Sequence, residues 1–214
     1  MRARQPVLFK PKAKKMTTLP PPDTTTLTRQ LREEGALLSG HFRLSSGLHS
    51  DAYVQCARFL RRPELAAAAC AELARRLTAA GLRPDVVVGP ALGGVVMGYE
   101  LARQLGVPGI FTERDAEGNM TLRRGFTLAR GEKVVIAEDV VTTGKSTLEV
   151  ARLLREMGAE VLAVASLIDR TNGAAHLDFP HLALLPVAAV TYAPEGCPLC
   201  AAGLPVEKPG SRPG

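Results

Sequence analysis

The densest run of chemistry in the chain lies between Val134 and Leu148, which reads VVIAEDVVTTGKSTL. Four apolar residues, Val134 to Ala137, have the form of a buried strand. They lead into two adjacent acids, Glu138 and Asp139, then into a loop of small and hydroxyl residues that opens a helix. Backbone N–H groups of Thr142, Thr143, Gly144, Lys145 and Ser146 can converge on one anion, and the dipole of the following helix favours a phosphate there. Gly144 permits close backbone approach. Two carboxylates at a strand end are costly unless donors satisfy them, and vicinal sugar hydroxyls are such donors. The segment therefore reads as a holder of a phosphorylated ribose.

Other nucleotide motifs do not fit. A Walker A loop needs glycine five residues before the Gly-Lys-Ser, where this chain has Asp139. The GxGxxG fingerprint is missing after Val88, where the chain runs Gly89-Pro90-Ala91-Leu92-Gly93-Gly94.

The elements that must position this segment follow from periodicity. Thr24 to Leu38 reads as a helix, capped by one of Thr24, Thr25 or Thr26 and carrying Leu27, Leu31 and Leu38 at near-helical spacing. His41 to Cys56 alternates around Ser45-Ser46-Gly47 like two strands and a turn. Pro63 opens a long alanine-rich helix that ends before Gly81. Beyond it, short apolar strands (Val86–Val88, Gly109–Phe111, Val134–Ala137, Val161–Ile168 and a fifth from Leu182 to Val190) alternate with helices over 94–105 and 146–157. Continuously apolar strands between helices predict an α/β fold with a central, mainly parallel sheet covered on both faces. Parallel sheets bind ligands at the carboxyl ends of their strands, which singles out the loops 89–94, 112–124 and 138–146.

The charge of +6 resides in the amino-terminal tail. Residues 1–22 hold six basic side chains and no acid, and the remaining 21 basic and 21 acidic residues balance. With Pro6, Pro11 and Pro20 to Pro22, this tail is expected to be disordered. Met16 offers an alternative start. Residues 207–214 are expected to form a flexible end, with a single domain over 23–206. No apolar run approaches the length of a membrane span or a signal peptide, so a cytoplasmic protein is expected, with neither membrane nor nucleic acid as partner.

Four cysteines are present: Cys56, Cys70, Cys197 and Cys200. In that compartment they are expected as thiols. Cys197-Pro198-Leu199-Cys200 is a CxxC without a second pair, and His176 and His181 do not stand at ligand spacing. Packing or capping, metal binding and redox chemistry stay open for it.

The run from Val134 to Leu148 resembles the phosphoribosyl-diphosphate (PRPP) signature of type I phosphoribosyltransferases. Gly40 to Ser50 (GHFRLSSGLHS), Gly89 to Gly94 (GPALGG) and Ile168-Asp169-Arg170 narrow the resemblance to the orotate phosphoribosyltransferase family. It covers roughly Leu27 to Pro205 and is closest to the shorter bacterial branch that ends in Cys-Pro-Leu-Cys. The resemblance implies the type I phosphoribosyltransferase fold with a small hood subdomain, from about 24–60 plus about 190–206. It implies displacement of pyrophosphate from C1 of PRPP by orotate, giving orotidine 5′-monophosphate in pyrimidine synthesis. Mg²⁺ is implied as cofactor, held mainly by PRPP with no direct side-chain ligand, and a homodimer is implied as the assembly.

Residue roles follow from the same resemblance. Glu138 and Asp139 contact the ribose hydroxyls, and Val140, Val141, Thr142, Thr143, Gly144, Lys145 and Ser146 wrap the 5′-phosphate. Arg114 matches a charged position of the catalytic loop and is assigned to catalysis and PRPP binding, with Glu138 and Asp139 as the other catalytic residues. Thr142, Arg170, Ser45 and Tyr53 fall on the orotate side, where a guanidinium can grip a carboxylate bidentately. Gly89 to Gly94 would present N–H groups to the pyrophosphate.

The chain departs from the family at Ser45 and Gly93, where many members carry lysine. It also departs in the catalytic loop, Glu113 to Met120, which lacks the usual lysines and histidine. Arg123 and Arg124 are candidates to supply that charge. Two other readings remain: a phosphoribosyltransferase for another base, and a non-catalytic PRPP-sensing module.

Overall fold

The computed structural model describes residues 19–44 and 46–209. Asp23 begins the first helix, α1 (Thr24–Glu33), by accepting a hydrogen bond from the Thr26 N–H at 2.7 Å. The cap is thus Asp23, not one of the threonines, because a carboxylate at that position satisfies an orphan donor. The helix is also shorter than expected. Gly35, at φ +65°, turns the chain, and Leu38 belongs to strand β1 (Leu37–Arg43). Leu27 and Leu31, one turn apart, are fully buried, and each such burial contributes about 1.5–3 kcal/mol. They join Phe59, Leu184 and Leu185 in one core cluster, which docks the helix on the main body.

Strand β1 pairs antiparallel with β2 (His49–Val54), as the alternation around Ser46-Gly47 predicts. A short helix, α2 (Ala57–Leu60), leads to α3 (Pro63–Ala79), which starts on Pro63 and stops before Gly81. The α/β core follows: β3 (Val86–Pro90), α4 (Gly93–Leu105), β4 (Gly109–Arg114), β5 (Met120–Leu122), β6 (Lys133–Val141), α5 (Lys145–Glu156), β7 (Glu160–Asp169) and β8 (His181–Pro186). The chain closes with β9 (Thr191–Tyr192), a single 3-10 turn and α6 (Pro198–Ala201).

The main sheet has the order β5-β4-β3-β6-β7-β8 and is parallel except for β5. Chain order reverses between β3 and β6: β4 lies on one side of β3, and β6 on the other. This is the topological switch point, where open α/β sheets keep their ligand crevice. Alternation along β6 divides the core, since Val135 and Ala137 pack with α3 and α4 while Val134 and Ile136 pack with α5. Two layers of helix therefore bury both faces, which explains the uninterrupted apolar runs.

A second sheet, β1-β2-β9, forms the hood. The carboxyl-terminal segment is strapped to it. Glu207 accepts from the Arg43 N–H and donates to the His41 carbonyl, both at 2.8 Å. At the other end of the described chain, Leu19 packs against the core. Among the described residues no helix is long and apolar enough to cross a membrane.

Candidate active site

Strand β6 runs through Val141, so both acids sit within the strand and the loop after it shrinks to Thr142–Gly144 before α5 begins at Lys145. Val140 and Val141 pair with Ile168 and Asp169 of β7, and the Val140 N–H donates to Asp139 Oδ1 at 2.9 Å. The segment Thr142 to Ser146 is thus this short loop and the first two residues of α5. Gly144 caps α5 at φ +75°, a conformation that L side chains rarely adopt. The chain can then turn sharply enough for the first N–H groups of α5, which lack intrahelical acceptors, to face outward. Thr142, Thr143 and Lys145 are exposed around them.

Glu138 is buried, and desolvation followed by the neighbouring Asp139 charge pushes its carboxyl up to about 8. Burial also raises Asp139, opposed by the backbone donors of Val140 and of Asp139 itself. These acids are held in a condition that hydrogen-bond donors or a cation would relieve. Asp139 faces the start of α4: a Cβ on Gly93 would overlap Asp139 Oδ1. The Asp139 carbonyl accepts a hydrogen bond from Cys56 Sγ at 3.5 Å. Burial holds the Cys56 thiol well above its ordinary range, so it is no nucleophile.

Arg170 follows β7 at the same end of the sheet, and its N–H donates to the Val141 carbonyl at 2.8 Å. Its side chain is half-buried, and among the described residues its Nε is a buried donor without a partner. Desolvation lowers its pKa, while the charges of Asp51, Cys56 and Tyr53 act in the opposite sense. The guanidinium thus belongs with the hood strand β2, which carries Asp51 and Tyr53. An unpaired donor in this position is a waiting contact for an acceptor. Ser45 lies outside the described residues.

Arg114 is placed differently. Residues 112–124, expected as a loop, form the β4–β5 hairpin with its turn at Asp115 to Asn119. Arg114 spans that turn to the Gly118 carbonyl and pairs with Glu149 of α5 at 2.6 Å. Glu113 holds both arginine candidates: Arg124 at 3.0 Å and Arg123 at 3.6 Å. Arg124 also lies over the Phe111 ring at 5.5 Å. The structure therefore gathers Glu138, Asp139, the Thr142–Ser146 loop, Arg170 and Tyr53 around the strand ends. It seats the three arginines on the adjoining hairpin, each against a carboxylate.

Sequence reasoning missed the contact of Gly93 with Asp139, although a Gly-Gly pair opening a helix is a visible sign of close approach. It also missed Cys56 and Asp51, for which spacing offers no signal.

Comparison with known proteins agrees with this geometry. The phosphoribosyl transferase domain matches residues 60–187. An orotate phosphoribosyltransferase of Carboxydothermus hydrogenoformans is 54% identical over 180 residues, covering 84% of this chain and 94% of that protein. The crystal structure of orotate phosphoribosyltransferase from Aeropyrum pernix superposes with a TM-score of 0.65 at 28% identity, covering 75% of this chain and 93% of that one. Adenine phosphoribosyltransferase from Thermoanaerobacter pseudethanolicus shares the fold at a TM-score of 0.57 and 21% identity, covering 64% and 88%. With a phosphoribosyl transferase domain over most of the chain and relatives at half identity over most of their length, the chain belongs to the orotate phosphoribosyltransferase family of type I phosphoribosyltransferases.

Proposed function

We propose that this protein transfers the 5-phosphoribosyl group of PRPP to orotate, producing orotidine 5′-monophosphate and pyrophosphate for pyrimidine synthesis. The observation that carries the reading is the pairing of two unlike binding ends across one crevice. One end is the acid pair of β6 running directly into the amino terminus of α5. The other is the half-buried Arg170 with its unpaired Nε. A ribose 5-phosphate satisfies the first, and a planar carboxylate satisfies the second.

In this reading Glu138 and Asp139 accept hydrogen bonds from the ribose hydroxyls, and the Thr142–Ser146 loop holds the 5′-phosphate. Gly89 to Gly94 face the diphosphate. Thr142, Ser45 and Tyr53 border the base. The transition state is oxocarbenium-like, so no side-chain nucleophile is required and rate comes from positioning and charge. Glu138 and Asp139, whose carboxyls are raised by desolvation, would be eased by a cation held nearby on the diphosphate, with no direct side-chain ligand to it. Mg²⁺, when bound, would neutralise charge on the departing pyrophosphate.

The working unit in this reading is a cytoplasmic homodimer. Leu92, which caps α4, and Val96 and Tyr99 within it stand at helical spacing and are 86%, 50% and 70% exposed. An exposed apolar stripe beside the crevice suits a two-fold contact with a second copy.

A binding-only module has one observation in its favour, the pairing of Arg114, Arg123 and Arg124 with Glu149 and Glu113. One experiment separates the readings: the absorbance of orotate is followed on mixing protein, PRPP and Mg²⁺, with uracil and purine bases as controls. Loss of orotate alone supports the enzyme. Tight PRPP binding without turnover of any base overturns it.

A further inference from the structure

The terminal CxxC finds its missing partners in the hood. His41 on β1, His49 on β2, Cys197 at the start of α6 and Cys200 within it bring one ligand atom each to within 4.8 Å of one another. His41 Nε2 lies 2.8 Å from His49 Nδ1. Cys197 Sγ lies 3.4 Å from His41 Nε2, and Cys200 Sγ lies 3.3 Å from His49 Nδ1 and 3.7 Å from His41 Nε2. Both histidines and Cys197 are buried, and Cys200 is exposed.

The three N···S spacings, 3.3, 3.4 and 3.7 Å, are close to the edges of a tetrahedron around one ion. Zinc at its usual bond lengths to nitrogen and sulfur would set N···S edges of about 3.5 Å and N···N edges of about 3.3 Å. Closing to that geometry requires the imidazole nitrogens to part by about half an ångström and the longest spacing, within 4.8 Å, to shorten by about 1 Å. A hydrogen-bonded cluster accounts for the arrangement less well. His41 Nδ1 is 2.9 Å from the Leu204 carbonyl, so it carries the proton and Nε2 presents a lone pair. That lone pair faces three groups, and a hydrogen bond can satisfy only one of them. A cation satisfies all four ligands together. A backbone carbonyl that fixes the tautomer of a ligating histidine is also the usual outer support of a metal site.

We propose that His41, His49, Cys197 and Cys200 bind one structural Zn²⁺ that clasps the carboxyl-terminal segment to the hood sheet. Two nitrogens and two sulfurs select zinc over hard cations, and four protein ligands leave no open position for chemistry. The site is separate from the PRPP crevice and does not rest on the orotate reading. The hood needs such a clasp: its third strand, β9, has two residues, and it is joined to β2 by two pairings. Small sheets of this size rarely hold themselves.

The test is metal analysis of the full chain purified under reducing conditions from zinc-supplemented cells. About one zinc per chain is expected in the wild type and in Cys70→Ala, and none in Cys197→Ser/Cys200→Ser. Folding failure of that double variant is sidestepped by stripping the wild type with a chelator and adding Co²⁺, which should give the intense visible bands of a tetrahedral thiolate site. Stripping should lower Tm by roughly 10 °C, with recovery on adding Zn²⁺. Reduced wild-type protein that takes up neither metal, an octahedral cobalt spectrum, or recovery of Cys197–Cys200 as a disulfide without metal would each overturn the proposal.

Discussion

Asp139 occupies the space in which a side chain at Gly93 would begin. A Cβ at Gly93 would overlap Oδ1 of that carboxylate and lie 2.6 and 2.7 Å from its Cγ and Oδ2. Any residue larger than glycine at this position must displace that carboxylate. Residue 93 and residue 139 form one packing unit across the switch point, α4 against β6.

Gly93→Ala is expected to displace the Asp139 carboxylate, costing about 1–3 kcal/mol as overpacking does. PRPP affinity should fall at least about tenfold, the equivalent of 1.4 kcal/mol. Calorimetric titration with PRPP checks this. Adding Asp139→Ala should restore Tm without restoring affinity, and unchanged affinity in Gly93→Ala would refute the coupling.

Glu138 supplies a pH prediction. Its ordinary pKa of 4.5 is raised by burial, and then by Asp139, to about 8 in the folded chain. Between those values the folded state holds a proton that the unfolded state has released. Rising pH therefore withdraws stability across this window and takes nothing further above it. Glu138→Gln should remove that slope, so urea unfolding at pH 6 and pH 9 should show a smaller difference in the variant. If ribose hydroxyls donate to the ionised form, PRPP binding near pH 7 should release a proton. Binding enthalpies in two buffers of different ionisation heat would detect it.

Arg170→Lys keeps the charge and loses the fork. Charged hydrogen bonds contribute about 1.5–3 kcal/mol, so kcat/KM for orotate should drop roughly 10–100-fold while PRPP affinity holds. Equal loss toward both substrates would show that the residue supports the β7 end structurally and does not grip the base.

Val96→Glu/Tyr99→Glu places two charges on the exposed stripe of α4. Light scattering is expected to report a dimer for the wild type and a monomer for the variant, with Tm lowered because assembly and folding are linked. A dimer that survives both charges must use another face.

Much of the parallel core was legible because its signal is redundant. The strands from Val86 to Ile168 are uninterrupted apolar runs, and the run from Glu138 to Ser146 carries its chemistry in contiguous residues. Legibility failed where two patterns coincide or distance intervenes. Leu38 continues the leucine spacing of α1 as well as it begins β1, and only the positive φ of Gly35 decides between them. Strand β5 spans three residues, too few for alternation to register. The histidine partners of Cys197 and Cys200 were invisible because they stand more than 150 positions away along the chain.

The switch point between β3 and β6 separates two tasks that descent can alter independently. In the proposed reading the sugar-phosphate cradle hangs from the buried sheet, where a changed residue disturbs both layers of core. The base is then met by a three-stranded flap of β1, β2 and β9. A substitution in the flap would on that reading change which base is accepted and leave the cradle intact.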